Sequence, residues 1–333
     1  MNQPVPPTKS FQIVRGGTAG LDAGALHGTV VAIGNFDGVH RGHRAVIAAA
    51  LARGRALGRK VAALTFTPHP RSFFRPQEPL FHLSSDRDKL RLLAATGLDG
   101  AVMMTFDAAL AGTSAQDFIE RILIGRLGIG GAAIGFDFHF GQNRGGSPAF
   151  LREQGARLGF AVDVAPPLED EGRPVSSGAV RAALSGGKVV EARELLGAPW
   201  FVSAEVIHGD KRGRDLGFPT ANLRLDPACG LKHGIYAVRV GIGGARYDGV
   251  ASFGRRPMFD NGAPLLEVFL FDFNGDLYGR TIEVAFIGWI RAEQRFDSID
   301  ALKVQMAADV AQARDALERS AGAFPALGEV SAE

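Results

Sequence analysis

A short apolar run that passes through a glycine-bearing loop into an alanine-rich segment constrains this fold more than any other feature. The run is Val30-Val31-Ala32-Ile33, and the segment from 44 to 57 has a helical pattern. A buried strand that leads directly into a helix predicts a βα unit. Free N–H groups and the positive end of the dipole at such a helix start favour phosphate. We therefore predict a nucleotide-binding loop formed by Gly34, Asn35, Phe36, Asp37 and Gly38.

Two histidines lie where this loop meets the helical segment. His40 and His43 are spaced i,i+3, so both side chains can project from one face of the first turn toward the same anion. Imidazoles can donate hydrogen bonds to a polyphosphate and stabilise the charge that develops as pyrophosphate leaves, which predicts a catalytic role for both. One alternative is a tight turn that carries two solvent-exposed histidines. A zinc site is less favoured, because the two histidines need a third ligand.

The first half of the chain alternates strand and helix patterns. Apolar strand patterns occur at 30–33, 61–66, 101–106, 132–136 and 160–164, and helical patterns begin near residues 41, 86, 115 and 148. Ser147 followed by Pro148 is typical of a helix start. This alternation predicts an α/β fold with a doubly wound parallel sheet, in which ligands bind at the carboxyl ends of the strands.

The second half has a different pattern. Strand patterns at 201–207, 234–240, 246–253, 265–273 and 281–290 are separated by turns that contain Gly, Asn and Asp. Few helical patterns interrupt them, which favours a closed antiparallel β-barrel over another α/β sheet. Ser298 then precedes a final helix, whose apolar stripe we interpret as a packing surface.

Length and composition limit the classes of protein that this chain can belong to. A length of 333 residues predicts two domains, which we place at residues 1–185 and 186–333. The net charge of +2 comes from interspersed acids and bases and gives no indication of a nucleic-acid partner. The single cysteine, Cys229, is typical of the reducing cytoplasm. No apolar run reaches transmembrane length, so we expect no membrane partner, and the oligomeric state stays open.

A basic, glycine-rich stretch in the second half predicts a second phosphate site. Its backbone N–H groups and cationic side chains can surround phosphates, and we assign nucleotide binding to Gly209, Lys211, Gly213, Arg214 and Gly217. Thr220 and Asn222 then offer neutral oxygen ligands two residues apart. Such oxygens suit Mg²⁺, which takes few protein ligands and completes its coordination with water and phosphate. The alternative is a solvated loop that ends in a proline-initiated turn.

Glu267 is the candidate general base of the second half. Strand periodicity places it on the same face as Phe269, Phe271 and Phe273. A carboxylate beside aromatic rings is partly desolvated and is well suited to accept a proton. The alternative is a glutamate on an edge strand that discourages aggregation.

Sequence strings in both halves carry a family resemblance. After the loop and the two histidines come Thr-Phe-Thr-Pro-His-Pro at 65–70, Gly-Phe-Asp-Phe-His-Phe-Gly at 135–141 and Ser-Ser-Gly-Ala-Val-Arg at 176–181. The second half contributes Pro-Thr-Ala-Asn at 219–222 and then Glu267. In this order, the strings resemble those of the bacterial bifunctional riboflavin kinase/FAD synthetases. The resemblance extends from about Gly34 to the final helix.

The resemblance implies both activities and further site residues. The second domain would phosphorylate riboflavin with ATP and Mg²⁺, and the first would join AMP from a second ATP to FMN. The residues implied near the flavin are Asp137, Phe138 and Arg291, and those implied at the nucleotide are Ser177 and Arg181. For Arg291, a solvated surface arginine is the alternative.

The sequence departs from the family pattern at Gly178, Ser252, Met258 and Phe269. These departures leave two alternatives open. Either the chain retains only one of the two activities, or it is a flavin-binding regulator whose catalysis has decayed. Retention of the residues needed for phosphoryl transfer argues against the second alternative.

Overall fold

The computed structural model describes residues 10–170, 172–209, 218–255 and 264–331. These residues form two compact units. The first contains 10–80, 86–175 and the described residues from 326 onward, and the second contains 81–85 and 176–325. The main segment of the second unit begins at residue 176, whereas the sequence prediction began the second domain at residue 186.

A six-stranded parallel sheet forms the centre of the first unit. In chain order its strands are β1 (Gln12–Gly16), β2 (Val30–Ile33), β3 (Val61–Thr67), β4 (Gly100–Thr105), β5 (Gly131–Gly135) and β6 (Ala161–Ala165). Across the sheet the order is β1-β4-β3-β2-β5-β6, and every pair of neighbours is parallel. The predicted parallel α/β fold is confirmed, although the edge strand β1 was not predicted.

The winding of this sheet reverses beside β2. The chain adds β3 and β4 on one side of β2 and then returns to the other side to form β5 and β6. Because β2 and β5 are parallel neighbours, the loops that follow them leave the same edge of the sheet. In parallel α/β sheets, the carboxyl edge at such a reversal is where ligands bind.

Short helices connect these strands. They are α1 (Arg41–Leu57), α2 (Pro70–Phe74), α3 (Asp86–Ala94), α4 (Ala108–Ala111), α5 (Ala115–Asp117) and α6 (Pro148–Leu158). The predicted start of α6 is confirmed, since the Ser147 side chain accepts a hydrogen bond from Phe150 N at 3.2 Å. The helix predicted from residue 115 is different, because α5 continues as a π-helix over Phe118–Ile124. Four apolar side chains of this segment are buried in the core.

The second unit is a closed antiparallel β-barrel with three helices among its described residues. Two antiparallel strands of two residues each precede the barrel in the chain: β7 (Glu169–Asp170) and β8 (Arg173–Pro174). The barrel strands are β9 (Phe201–Ile207), β10 (Thr220–Arg224), β11 (Gly234–Ile242), β12 (Ala245–Arg255), β13 (Pro264–Leu270) and β14 (Thr281–Arg291). The helices are α7 (Ser177–Ser185), α8 (Val189–Leu196) and α9 (Ile299–Glu318). The predicted barrel and terminal helix are confirmed.

Alternation along the barrel strands separates an apolar interior from an outer face. The interior side chains on β10, β12 and β13 are all buried: Ala221, Leu223, Ala251, Phe253, Leu266 and Val268. The residues between them, including Thr220, Asn222, Ser252 and Glu267, therefore project from the outer face. Helix α9 packs on the outer face of β11, β12 and β14. No helix in the described ranges is both long and apolar enough to cross a membrane.

A buried arginine on β11 holds the end of α9 against the barrel. Arg239 donates from Nε to Asp248 at 2.7 Å and from Nη1 to the carbonyls of Ser320 and Ala323 at 2.9 and 3.1 Å. Its Nη2 donates to the Leu317 carbonyl at 3.2 Å. A cation is favourable at a helix C-terminus, where carbonyl groups lack partners within the helix. Arg239 therefore supplies these partners from the sheet.

We expect Arg239→Met to lower the free energy of unfolding of the second unit by about 2 kcal/mol, because Asp248 and three carbonyls at the end of α9 lose the hydrogen bonds of the guanidinium. Hydrogen exchange of the backbone amides in α9 measures the effect as faster exchange. The control is Arg314→Met, which removes an exposed arginine of the same helix that pairs with Asp272 at 3.1 Å. This change should cost less than about 1 kcal/mol. Equal exchange rates in the two variants would contradict the role of Arg239.

Candidate functional site

The loop after β2 is tightly wound and fixed to the sheet. Phe36 and Val39 have φ values of 51° and 44°, and Gly38 has φ of 77°, a conformation that glycine adopts without strain. The Phe36 ring is fully buried, and a Cβ atom on Gly34 would lie 3.3 Å from it. Thr65 on β3 donates its hydroxyl to the Asn35 carbonyl at 3.0 Å. The predicted loop thus reaches the start of α1 with little freedom.

The two predicted histidines are brought together at this helix start. Their rings stack with centroids 3.6 Å apart, and the Phe36 ring meets that of His43 edge-on at 5.2 Å. His40 is the N-cap of α1, and its Nδ1 accepts a hydrogen bond from His43 N at 3.2 Å. In neutral His40 the proton then resides on Nε2, which is a donor suited to a phosphate oxygen. His40 is only 6% exposed, so the alternative of two solvent-exposed histidines is wrong.

Gly42 lies between the two histidines in the chain, and its surroundings leave little room for a larger residue. A Cβ atom at this position would lie 3.1 Å from the His40 ring and 3.1 Å from the Val175 carbonyl. Both distances are shorter than an ordinary van der Waals contact. A larger residue would therefore separate the stacked rings or displace the backbone at Val175.

The residues predicted to lie near the flavin follow β5, the neighbour of β2. Asp137 is exposed, and its carbonyl is 2.9 Å from Nδ1 of His139. The Phe138 ring stacks on that of Phe140 with centroids 5.6 Å apart. These side chains and the loop after β2 therefore extend from adjacent strands at the same edge of the sheet.

An aromatic cluster at the same edge was not predicted. Phe106 follows β4, and its ring contacts those of Phe66, Phe73 and Phe74 with centroid distances of 6.0, 5.4 and 5.6 Å. Phe74 is 62% exposed, so the cluster presents an apolar surface. The available sequence signal was Phe106 directly after β4 and the Phe73-Phe74 pair in the helix that follows β3.

The structure places Ser177 and Arg181 in the second unit, whereas His40 and His43 belong to the first. Ser177 is the first residue of α7, whose N-cap Ser176 accepts a hydrogen bond from Ala179 N at 3.2 Å. Arg181 donates from Nε to the Phe81 carbonyl. The nucleotide-binding role of both residues stays a prediction.

On the barrel, strand register aligns the predicted kinase residues in one lateral row. Asn222 on β10 is the direct partner of Glu267 on β13, and Glu267 is the direct partner of Ser252 on β12. Direct partners in antiparallel strands project from the same face, with Cβ atoms about 5 Å apart. Because β13 is paired on both sides, the alternative of an edge-strand glutamate is wrong.

A hydrogen bond and a close neighbour restrict the side chain of Asn222 in this row. It is buried, and its Nδ2 donates to the Thr220 carbonyl at 3.3 Å, which leaves the amide oxygen as an acceptor. A Cβ atom on Gly209 would lie 2.5 Å from Nδ2 of Asn222, so only glycine fits there. The other residues assigned to the basic, glycine-rich stretch of the second half lie outside the described residues: Lys211, Gly213, Arg214 and Gly217. Met258 also lies outside them.

Phe269 is one of the family departures, and the structure shows what this ring contacts. It is the direct partner of Thr220 across β10 and β13. The Phe218 ring meets it edge-on with centroids 5.3 Å apart. The departure thus places an aromatic pair next to Thr220 on the face that carries Glu267.

On the side away from Asn222, the row continues across β11 and ends at Arg291 on β14. Ser252 pairs with Ile235, which in turn pairs with Arg291 on β14. Arg291 donates from Nε and Nη2 to the two carboxylate oxygens of Asp309 at 2.7 and 2.6 Å. Its side chain is 16% exposed, so the alternative of a solvated surface arginine is wrong. Contact with flavin stays a prediction.

Asp309 is the residue at this site that sequence reasoning missed. It lies on α9, is 4% exposed and also accepts a hydrogen bond from Gln305 at 2.9 Å. The available signal was a carboxylate three residues after Met306, within the apolar stripe of the terminal helix. A charge on the packing face of a helix indicates a buried partner of opposite charge.

Comparison with known proteins gives matches over both units. The FAD synthetase family model matches residues 22–179, and the riboflavin kinase model matches residues 196–317. A bifunctional riboflavin kinase/FMN adenylyltransferase from Pseudomonas fluorescens is 42% identical over 288 residues, which are 86% of this chain and 92% of that protein. Its counterpart from Escherichia coli strain K12 is 40% identical over 306 residues, which are 92% and 97% of the two chains.

Solved structures give a consistent result for the fold. A structure from Streptococcus pneumoniae, described as a macrolide-efflux protein, covers 89% of this chain and 95% of its own. The TM-score is 0.78 and the sequence identity is 32%. The efflux description applies to that protein alone. The two family models, and the two relatives that match over most of their own length, show that this chain belongs to the family of bifunctional riboflavin kinase/FMN adenylyltransferases.

Proposed function

We propose that this chain converts riboflavin to FAD in two steps. The second unit transfers the γ-phosphoryl group of ATP to riboflavin, which gives FMN and ADP. The first unit then transfers AMP from a second ATP to FMN, which gives FAD and pyrophosphate. The proposal rests on two groups of residues, one in each unit. They are the stacked His40–His43 pair at the start of α1 and the Asn222–Glu267 row on the barrel.

In the proposed kinase reaction, Glu267 accepts the proton of the riboflavin 5′-hydroxyl. The hydroxyl oxygen bonds to the γ-phosphorus as the bond from that phosphorus to ADP breaks. The amide oxygen of Asn222 and the hydroxyl of Thr220 are neutral oxygen ligands, the donor type that fits Mg²⁺. Bound there, Mg²⁺ would supply charge neutralisation at the phosphates of ATP. Backbone N–H groups near Gly209 would hold those phosphates.

In the proposed adenylyltransferase reaction, a phosphate oxygen of FMN attacks the α-phosphorus of ATP. The bond to the β-phosphate breaks, and pyrophosphate leaves. His40 donates from Nε2, and His43 and the N–H groups at the start of α1 add further positive potential where this charge develops. Asp137 and Phe138, which follow β5, contact the flavin.

One incubation tests the function as a whole. Purified protein is supplied with riboflavin, ATP and Mg²⁺, and the flavins are separated by chromatography over time. We expect FMN to rise first and FAD to follow. FMN without FAD, or conversion of supplied FMN without phosphorylation of riboflavin, would show that one activity is retained. Binding of flavin without any product would favour the decayed regulator.

We predict that His43→Ala lowers the rate of FAD formation from FMN by about 10²–10³-fold, the usual cost of one donor to developing charge. The measurement is steady-state FAD formation with supplied FMN and ATP. Phosphorylation of riboflavin by the same variant is the control, because Glu267 and Asn222 belong to the other unit. Loss of both activities in a folded variant would refute this division of labour.

Glu267→Gln should slow riboflavin phosphorylation by about 10²–10⁴-fold, because the amide keeps the volume of the side chain but cannot accept the hydroxyl proton. Riboflavin binding should change little, and FMN adenylylation should persist. Glu205→Gln is the matched control, since Glu205 is an exposed glutamate on β9 of the same barrel. A wild-type kinase rate in Glu267→Gln would remove Glu267 as the base.

Asn222→Ala is expected to raise the Mg²⁺ concentration needed for half-maximal kinase activity, because one neutral oxygen ligand is lost. Titrating Mg²⁺ at fixed ATP should then restore part of the rate. Adenylylation of FMN, assayed in the same preparation, should keep its wild-type response to Mg²⁺. An unchanged Mg²⁺ dependence of the kinase would mean that Asn222 is not a metal ligand.

A further inference from the structure

Arg44 lies in the first turn of α1, one residue beyond His43. Its backbone N–H donates to the His40 carbonyl at 3.0 Å, so Arg44 occupies the i+4 position relative to the N-cap. Residues four apart lie on the same side of a helix. Side chains on a helix also point back toward its N-terminus. Helix geometry therefore directs the side chain of Arg44 toward the end of α1 that carries the His40–His43 pair.

The charges at this helix start are opposite to those that stabilise a helix. Acidic residues are favourable in the first turn, because the N-terminal end of the dipole is positive. The first turn of α1 has no acidic residue and contains Arg41 and Arg44. This arrangement is unfavourable in the absence of an anion and becomes favourable when an anion is bound.

Two other arginines of α1 have counterions, and Arg44 has none among the described residues. Arg41 pairs with Asp170 at 3.3 Å, and Arg53 forms a two-point pair with Asp163 in which both distances are 2.8 Å. No hydrogen bond or ion pair joins the side chain of Arg44 to any residue that the structure describes. Nevertheless, Arg44 is half-buried, and this burial lowers the pKa of its guanidinium. A partly desolvated charge without a partner is costly.

We propose that Arg44 is a ligand of the β- and γ-phosphates of ATP in the adenylyltransferase reaction and stays bound to the pyrophosphate as it leaves. This inference rests on the proposed function of the first unit. When the bond between the α-phosphorus and the bridging oxygen breaks, that oxygen gains negative charge and pyrophosphate becomes the more highly charged product. A planar guanidinium can hold two oxygens of such a group at once. Arg44 thus supplies the fixed positive charge that the neutral His40 lacks.

The test compares Arg44→Met with Arg55→Met. Arg55 is an exposed arginine of the same helix, and the separation of eleven residues returns it to nearly the same side, so both variants lose one positive charge. Calorimetric titration with inorganic pyrophosphate is expected to give a Kd about 10- to 100-fold higher in Arg44→Met only. The KM for ATP in FAD formation should rise in parallel. Arg44→Lys keeps the charge but loses the planar group that can bind two oxygens at once. Its pyrophosphate Kd should therefore lie between those of the wild type and Arg44→Met.

Thermal stability separates this role from a structural one. Because the charge of Arg44 has no partner among the residues that the structure describes, Arg44→Met should have an unchanged or higher Tm, whereas loss of a structural arginine would lower it. Riboflavin phosphorylation at the wild-type rate shows that the variant is folded. The same pyrophosphate Kd in Arg44→Met and Arg55→Met would overturn the inference while wild-type FAD formation leaves the proposed function standing. If the wild type forms no FAD, the proposed function fails, and the pyrophosphate titration still decides whether Arg44 binds this anion.

Discussion

Strand register is the constraint on which both units depend. On the barrel, the pairing of Asn222 with Glu267 and of Glu267 with Ser252 aligns three polar side chains on one outer face. A slip of one residue would turn these side chains into the apolar interior and expose the buried residues beside them. The interior apolar residues therefore fix the positions of the polar row. In the parallel sheet, the pairing of β2 with β5 likewise brings the loop after β2 and Asp137 to one edge.

Local patterns in the sequence were sufficient for most of the fold. The β2–α1 unit and the capped start of α6 follow from apolar runs, glycines and a serine cap, which act within a few residues. Strand β10 was missed because Thr220–Arg224 directly follows a proline and a glycine-rich loop, and only pairing with β9 and β13 makes it a strand. The Arg291–Asp309 pair was missed because its members are 18 residues apart and meet only when α9 packs on the barrel.

Two arginines of the barrel strands connect α9 to the barrel, one at the middle of the helix and one at its end. Arg291 pairs with Asp309 in the middle of the helix, and Arg239 binds the carbonyls at its end. Buried charges contribute little net stability when their desolvation is counted, but an unsatisfied one is costly. The observed placement of α9 satisfies both guanidinium groups at once. The two arginines therefore specify where the helix lies, and the end of the polar row is fixed with it.

The two sites differ because their nucleophiles differ. The riboflavin 5′-hydroxyl must lose a proton to attack phosphorus, so the kinase site needs a carboxylate, and the one that we propose, Glu267, is the direct strand partner of Asn222. The phosphate of FMN is already an anion and needs no base. Its reaction instead places two anions together and releases a third, so the matching protein groups are donors and cations. The first turn of α1 has no acidic residue, and we propose that His40, His43 and Arg44 supply these donors and this charge.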